Sequence, residues 1–142
     1  NIVAGENETS FFQNINFVKF LISFQPVRLI KWDGIMNNNK AHFQLWLFFW
    51  HDFEVKHSLI NLSDSELIFK DIGIKLPLGL IFWEHTHTII QGNNSVCIKD
   101  EIKLNHKNML LGFLLYPILV SPIFIRKISY KLYFNKRRKN VS

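Results

Sequence analysis

The sequence predicts an α+β fold: a curved antiparallel sheet of six to seven strands wrapped around a long C-terminal helix, in one domain spanning residues 1–142. Two patterns predict this class. Strand-like segments follow one another through short turns, which leave no room for the crossovers that parallel strands require. After them, residues 109–125 form an uncharged run of helical length. With 48% apolar residues, the chain can bury a sizeable core.

The N-terminal half is divided by turn residues. An edge strand is predicted over residues 1–7, and two short helices are expected between Thr9 and Phe24, with Thr9 or Ser10 as the N-cap. Pro26 ends this segment. Four strands then follow between turns rich in Asn, Asp and Ser; they are predicted over residues 27–32, 41–50, 53–62 and 66–74.

The most informative segment is a hairpin over residues 80–104, with a polar turn at residues 92–95. Trp83, His85 and His87 stand two apart on its first strand, so they project from one face. On its second strand Asp100 occupies the middle of an apolar row that shares one face, formed by Val96, Ile98, Ile102 and Leu104. Imidazoles, an indole and a carboxylate set among aliphatic residues indicate the wall of a small-molecule cavity.

The C-terminal helix is predicted to start at the cap Asn108, and its first part is apolar to residue 125. We expect a core helix held by the sheet. A helix partly exposed to a membrane or an apolar partner, and a true membrane span, are the alternatives. Seventeen residues are the lower limit for a span. Pro117 and Pro122 interrupt the run, and Ser121 with Pro122 could restart a kinked helix.

The positive charge belongs to the C-terminal tail. Residues 1–125 carry ten Lys/Arg and eleven Asp/Glu, whereas residues 126–142 carry seven Lys/Arg and no acid. We expect this tail, Arg126 included, to be a solvated helix end, since cations are favoured at helix C-termini. A weak contact with an anionic membrane surface is the alternative. No nucleic-acid partner is expected, because the rest of the chain has no basic stripe.

Cys97 is the only cysteine, which excludes an internal disulfide and a multi-cysteine zinc site. A reducing compartment fits this composition, so we expect a cytoplasmic protein.

Several short segments resemble one protein family in their order and spacing. They are WDG at residues 32–34, FKDIG at 69–73, FWEHTHT at 82–88, KDEIKL at 99–104 and RKISYKLYF at 126–134. Over residues 11–135 the chain resembles the START-like SRPBCC proteins, of which bacterial members carry a W-x-H-x-H strand followed by a D-x-I/V strand. His57 departs from the pattern, because a Trp is common at that place.

This resemblance implies the helix-grip fold, with a hydrophobic cavity between the sheet and the C-terminal helix. The superfamily includes lipid carriers, hormone-binding proteins and polyketide cyclase-like enzymes. The chain would then bind a hydrophobic or amphipathic molecule (lipid, aromatic or polyketide-like) as a monomer.

Seven side chains are the candidate ligand-binding residues: Trp46, His57, Asp71, Trp83, His85, His87 and Asp100. Asp71 and Asp100 lie in strands of Ile, Phe and Val, where a buried carboxylate must find a partner or shift its pKa. The histidines could instead be structural groups paired with these acids. They could also hold a metal with a third ligand from His57 or Asp100, but no spacing selects one, so we expect neither metal nor cofactor.

We therefore expect binding without catalysis and name no catalytic residue. One alternative is a cyclase- or dehydratase-like lyase in which a cavity His–Asp pair acts as the base. A second is a membrane-associated protein held through the apolar C-terminal helix.

Overall fold

The computed structural model describes residues 12–93 and 95–141, with side chains up to Lys136 in the last helix. The α+β class, the antiparallel sheet of six strands and the long C-terminal helix are confirmed. The elements are α1 (Ile15–Ile22), β1 (Val27–Trp32), β2 (Lys40–Leu47), β3 (Phe49–Leu62), β4 (Glu66–Lys75), β5 (Leu80–Gln91), β6 (Val96–His106) and α2 (Met109–Val141).

The sheet is an open meander in which each strand pairs antiparallel with the next, in the order β1-β2-β3-β4-β5-β6. One predicted strand is wrong: residues 41–50 cross the β2–β3 turn, which falls at Phe48 with a φ of 63°. The turn lies within the sequence LWLFFW, where no Gly, Pro, Asn or Asp marks it. The apolar run therefore concealed the reversal.

One of the two predicted N-terminal helices is present as α1; Phe12 and Gln13 before it are in 3₁₀ conformation, and residues 9–11 of the predicted segment lie outside the described residues. Asn14 caps α1, since its Oδ1 accepts a hydrogen bond of 2.8 Å from the backbone N–H of Asn16. The predicted edge strand over residues 1–7 and the predicted caps Thr9 and Ser10 lie outside the described residues.

Two apolar cores lie on the side of the sheet that faces α1 and α2. The first core joins α1 and the end of α2 to the middle of the sheet, through residues that include Phe17, Phe69, Ile89, Tyr130 and Phe134. The second core lies nearer the start of β5 and consists of Ala41, Leu45, Val55, Leu80, Trp83, Leu119 and Ile123. The alternation predicted for β5 is confirmed, because Trp83, His85, His87 and Ile89 are all buried.

The expectation that α2 is buried under the sheet is wrong for its first half. Asn108 caps the helix through bonds of 3.0 and 3.1 Å to the N–H groups of Leu110 and Leu111. The helix then runs without a restart through Pro117 and Pro122. The apolar side chains exposed in this half are Met109, Leu110, Leu111, Phe113, Leu114, Tyr116 and Ile118.

The two halves of α2 meet different surroundings. In the second half Leu119, Ile123, Tyr130 and Phe134 belong to the two cores, whereas in the first half only Leu115 is among the residues packed against them. By length and composition alone, Met109–Lys136 could cross a membrane.

Candidate functional site

A cluster of charged and polar side chains separates the two cores. Along β5, His85 and His87 lie between Trp83 of the second core and Ile89 of the first core. Along α2, Arg126 lies between Ile123 and Tyr130, which belong to the same two cores. Polar residues of β5 and of α2 therefore occur at the same place along the two elements, between the first and the second core.

The register of the strands assembles this cluster. Asp71 of β4 pairs with His57 of β3 on one side and with His85 of β5 on the other. One pair further along β5, His87 is opposite Asp100 of β6. Because paired residues on one face lie only a few ångströms apart, three histidines and two carboxylates meet on the concave face.

The two carboxylates bridge the histidines. The Nε2 atom of His85 lies 3.0 Å from Oδ1 of Asp100, and Nε2 of His87 lies 2.9 Å from Oδ2 of Asp71, both within hydrogen-bond geometry. The Nδ1 atom of His87 also lies 2.9 Å from Oδ1 of Asp100, and Nε2 of His57 lies 3.1 Å from Oδ1 of Asp71. Each carboxylate therefore contacts at least two imidazoles.

The contacts set the charge of each group. Burial raises the pKa of Asp71, but the charge of His87 and the contacts from His57 and His87 outweigh it and hold that pKa well below its usual range. Burial likewise raises the pKa of Asp100, and hydrogen bonds from His85 and His87 hold it low. Both carboxylates are therefore ionised at neutral pH.

The two histidines of β5 differ in protonation. Burial lowers the pKa of His87, but the charge of Asp71 and the bonds to both carboxylates raise it overall to about 9. Burial lowers the pKa of His85 to about 4, and the charge of His87 acts in the same direction. At neutral pH His87 is therefore an imidazolium, and His85 is a neutral ring 3.8 Å away.

Arg126 completes the cluster and corrects the prediction for the basic tail. Its guanidinium lines the cavity beside Asp71, and its charge acts on the carboxylates of Asp71 and Asp100 from beyond ion-pair distance. Arg126 and His87 together balance the two negative charges. Arg126 is therefore half-buried between the two cores rather than solvated, because a buried carboxylate pair needs compensating charge.

A signal for Arg126 was present in the sequence. Leu119, Ile123, Arg126, Tyr130 and Phe134 follow one another at spacings of four, three, four and four residues. This spacing places them on one helix face, and all except Arg126 are buried apolar or aromatic residues. The prediction treated residues 126–142 as one solvated basic segment, and so it missed that Arg126 belongs to this face.

Several buried polar atoms in and beside the cluster have no aligned hydrogen-bond partner within the described part of the chain, although Nδ1 of His87 and Oδ1 of Asp71 have the close contacts given above. They are Nε1 of Trp32, Nδ1 of His57, Oδ1 of Asp71, Nδ1 of His87, Nε of Arg126 and Oη of Tyr130. Most buried polar groups in proteins are hydrogen-bonded, so a group of such atoms in one place marks a site with remaining hydrogen-bonding capacity.

A cavity of about 80 Å³ opens beside the cluster, between the sheet and the second half of α2. Asp71, His85 and Arg126 form its polar end. Its other walls are mostly apolar and include Val27, Phe43, Leu45, Phe53, Val55, Leu80, Trp83, Leu119 and Ile123. An apolar cavity with a few convergent polar groups is the usual form of a small-molecule site.

The structure brings together six of the seven candidate residues. His57, Asp71, His85, His87 and Asp100 form the charged cluster, and Trp83 packs edge-on against Phe53 in the cavity wall, with 5.2 Å between ring centroids. Trp46 does not join them. It is 49% exposed near the β2–β3 turn. The prediction had placed it inside one continuous strand over residues 41–50, because that turn was missed.

Three of the side chains have the spacing of a metal site. The ligand atoms of Asp71, His85 and His87 lie within 4.8 Å of one another. However, the positive charge of Arg126 already acts on the carboxylate of Asp71. A divalent cation would also have to displace a proton from the charged ring of His87, which contacts both Asp71 and Asp100. The arrangement therefore favours a charge-balanced cluster over a metal centre.

The chemistry available is hydrogen bonding and charge pairing at the end of an apolar cavity. Arg126 can donate to an anionic or carbonyl oxygen, and Asp71 can accept from a hydroxyl or an amine. Comparisons with protein-family models, with curated proteins and with solved structures gave no match to this chain.

Proposed function

We propose that this protein binds a compact hydrophobic or amphipathic small molecule in the cavity between the sheet and α2. The observation that carries the proposal is an apolar cavity that ends on Asp71, His85 and Arg126. A ring or short acyl chain would lie against Trp83 and Leu119, and a polar group would face the charged end. Apolar walls supply affinity, and the few polar groups fix orientation.

The size of the cavity narrows the ligand class. About 80 Å³ is several times the roughly 10–15 Å³ that one water molecule needs. This space suits an aromatic ring or one end of a longer molecule better than a whole lipid. We propose an aromatic or short-chain amphipathic ligand, bound by a monomeric, cytoplasmic protein.

We also propose that the chain is a START-like SRPBCC protein with a helix-grip fold, as a single domain. The antiparallel meander, the long C-terminal helix and the cavity between them support this assignment. The resemblance of residues 82–88 and 99–104 gains support from their position, because they contribute His85, His87 and Asp100 to the cluster. Without a matching relative, the assignment rests on these features.

The binding proposal is tested by blocking the cavity without touching its charges. Native mass spectrometry of the purified protein, and thermal-shift screening of small aromatic acids, alcohols and short-chain fatty acids, should identify a ligand. Leu119→Phe adds volume inside the cavity and should abolish the thermal shift. Leu132→Phe on the exposed side of the same helix (48% exposed) is the matched control and should keep it. A shift that survives Leu119→Phe unchanged would place the ligand elsewhere.

A lyase is the second candidate, favoured by His85, which lines the cavity as a neutral ring hydrogen-bonded to Asp100. Its pKa of about 4 makes it a weak base, since an efficient general base has a pKa near the working pH. We therefore prefer binding without turnover. Incubating the protein with an identified ligand, followed by mass spectrometry, decides between them: a product that His85→Gln eliminates while binding persists would establish the lyase.

Elemental analysis tests the metal alternative separately. Protein purified without a nickel column should contain less than stoichiometric transition metal, because Arg126 and His87 already balance the carboxylates. One metal ion per chain, lost in an Asp71→Asn variant, would overturn the charge assignment and with it the proposed polar end.

A further inference from the structure

One end of the molecule carries an unusual concentration of exposed apolar side chains from three separate segments. We name it the apolar end. It consists of Trp46, Phe48, Phe49 and Trp50 around the β2–β3 turn, Ile81 and Phe82 at the start of β5, and Met109, Leu110, Phe113 and Leu114 in the first turns of α2.

The strand register shows that these segments share one end of the sheet. The β2–β3 turn closes with Leu47 opposite Phe49. In an antiparallel meander, the β4–β5 turn and the end of β6 lie at the same end of the sheet as the β2–β3 turn. There Leu80, the first residue of β5, pairs with His106, which comes just before α2. The opposite end holds the β3–β4 and β5–β6 turns, whose sequences are polar. The apolar residues are therefore not scattered over the surface.

The exposure at this end is large. Phe48 is 86% exposed, Met109 is 89% exposed and Phe113 is 78% exposed. Single exposed apolar residues need no explanation, but a concentration of them marks a surface that meets an apolar partner. Two tryptophans at the border of the group are typical of the boundary between membrane and water, where an amphipathic ring is favoured.

The charges around the apolar end identify the partner chemistry. No acidic residue occurs after Glu101, and the exposed Lys107 stands just before α2, whereas Lys103 lies 3.9 Å from Glu84. At the β2–β3 turn, the Arg28 guanidinium lies 4.1 Å above the ring of Trp50. Asp52, the acid nearest this turn in sequence, is paired with Lys75 at 2.6 Å. An apolar surface bordered by Arg28, which has no acidic partner among the described residues, and by the exposed Lys107 suits a bilayer that contains anionic lipids.

The second half of α2 argues against a membrane-spanning arrangement. Tyr130 and Phe134 are buried in the first core, and Arg126 interacts with Asp71 and Asp100. If Met109–Lys136 crossed a bilayer, these contacts would be lost and the carboxylates would remain buried without Arg126. The second half also exposes Phe124, Ile128 and Leu132, but the cores hold its other side chains, so the first half is the part that can enter lipid.

We propose that the apolar end docks on the surface of an anionic lipid bilayer, with the β2–β3 turn and the first turns of α2 inserted side by side. The protein is then a peripheral membrane protein rather than a spanning one. This inference is independent of the proposed ligand binding, because it involves a different surface.

The test is co-sedimentation of the full chain with vesicles, combined with tryptophan fluorescence. Vesicles of about three parts phosphatidylcholine to one part phosphatidylserine should bind the protein and shift its emission to the blue, and pure phosphatidylcholine should bind it more weakly. High salt should weaken the binding to anionic vesicles. Binding resistant to alkaline carbonate, with release only by detergent, would show a span and overturn the proposal.

Matched variants locate the surface. Phe48→Ser combined with Phe113→Ser removes two highly exposed rings and should lower vesicle binding by about a hundredfold, since burial of one such side chain is worth about a factor of ten. Ile60→Ser, in a residue 54% exposed towards the opposite end of β3, is the control and should bind like the wild type. Circular dichroism should show that both variants are folded.

Two results would overturn the inference. One is the absence of binding to either vesicle by folded protein. The other is a concentration-dependent dimer in light scattering that the Phe48→Ser and Phe113→Ser variant abolishes, because the apolar end would then be covered by a second copy of this chain.

Discussion

The two halves of α2 belong to one continuous helix, yet the more apolar half is the exposed one. Residues 109–118 contain no charge and expose most of their large side chains, whereas residues 119–134 contain Arg126, Lys127 and Lys131 and supply both cores. The difference shows that burial of this helix depends on what faces it. From composition alone, the uncharged first half would be expected to be the more buried of the two.

The second half is held by specific partners. Tyr130 stacks near Phe17 of α1, with 6.2 Å between ring centroids, and Phe134 packs beside the same ring at 6.1 Å. The first half approaches the sheet closely at Gly112, where a Cβ atom would lie 2.6 Å from Cβ of His106, and its Leu115 packs against the second core. We therefore expect mutations in the second half to affect folding and those in the first half to affect association.

Identical substitutions in the two halves give the largest expected contrast. Phe134→Ala removes a ring that is 3% exposed and should lower the free energy of unfolding by about 3–5 kcal/mol, because it leaves a cavity in the core. Phe113→Ala removes a ring that is 78% exposed and should change it by less than about 0.5 kcal/mol. Urea unfolding measures both. Equal losses would show that the first half also packs against the domain.

The next contrast compares neighbouring basic residues. Arg126→Gln should lower the free energy of unfolding by about 1–2 kcal/mol, because it removes a charge that acts on the carboxylates of Asp71 and Asp100 from beyond ion-pair distance. Lys127→Gln is the matched control, since this side chain is exposed beside the ring of Phe124, and should change it by less than about 0.5 kcal/mol.

A double variant sharpens the comparison. Arg126→Gln combined with Asp100→Asn removes one charge of each sign, so it should be more stable than the sum of the two single effects predicts. Strict additivity would mean that Arg126 stabilises the protein through packing of its stem rather than through the carboxylates.

The fold was largely predictable from the sequence because the sheet alternates regularly. The period-two pattern of β5 and β6 placed Trp83, His85, His87 and Asp100 on one face, and the structure confirms it. The β2–β3 turn was not predictable, since Phe48 adopts a left-handed conformation that favours Gly, Asn or Asp. A turn that lacks these residues leaves no mark in the pattern.

The candidate site was predictable only in part, because sequence pattern shows faces but not register. The sequence allowed His85 and His87 to be paired with Asp71 or Asp100, as one of several alternatives. The actual pairing of His57 with Asp71 and of His87 with Asp100 depends on strand register, which the pattern does not show. Arg126 depends on tertiary packing of α2 against the sheet. Its charge was interpreted with its neighbours in sequence, whereas its partners lie far away in the chain.

The remaining contrast concerns pH and separates the two histidines of β5. His87 has a folded pKa of about 9, above its usual value of 6.5, so its stabilising contribution is complete below pH 6.5 and is lost as the pH rises through 9. His85 has a folded pKa of about 4, below 6.5, so stability is lost as the pH falls from 6.5 through 4. Stability should therefore be greatest near pH 6.5.

Each limb of this profile should depend mainly on one residue, with the carboxylates of Asp71 and Asp100 adding to the acidic limb as the pH approaches 4. His87→Gln should flatten the alkaline limb, which amounts to roughly 2–3 kcal/mol between pH 6.5 and 9, and His85→Gln should flatten the acidic limb. Urea unfolding from pH 4 to 9 measures both. Hydrogen exchange at pH 9 tests the effect on α2. Deprotonation of His87 leaves Arg126 as the main positive charge near Asp71 and Asp100, so backbone amides in the second half of the helix should exchange faster. Exchange in residues 109–118 should stay unchanged apart from the intrinsic effect of pH. An alkaline limb that persists in His87→Gln would show that this imidazole is neutral in the folded protein, and that Arg126 alone balances the carboxylates.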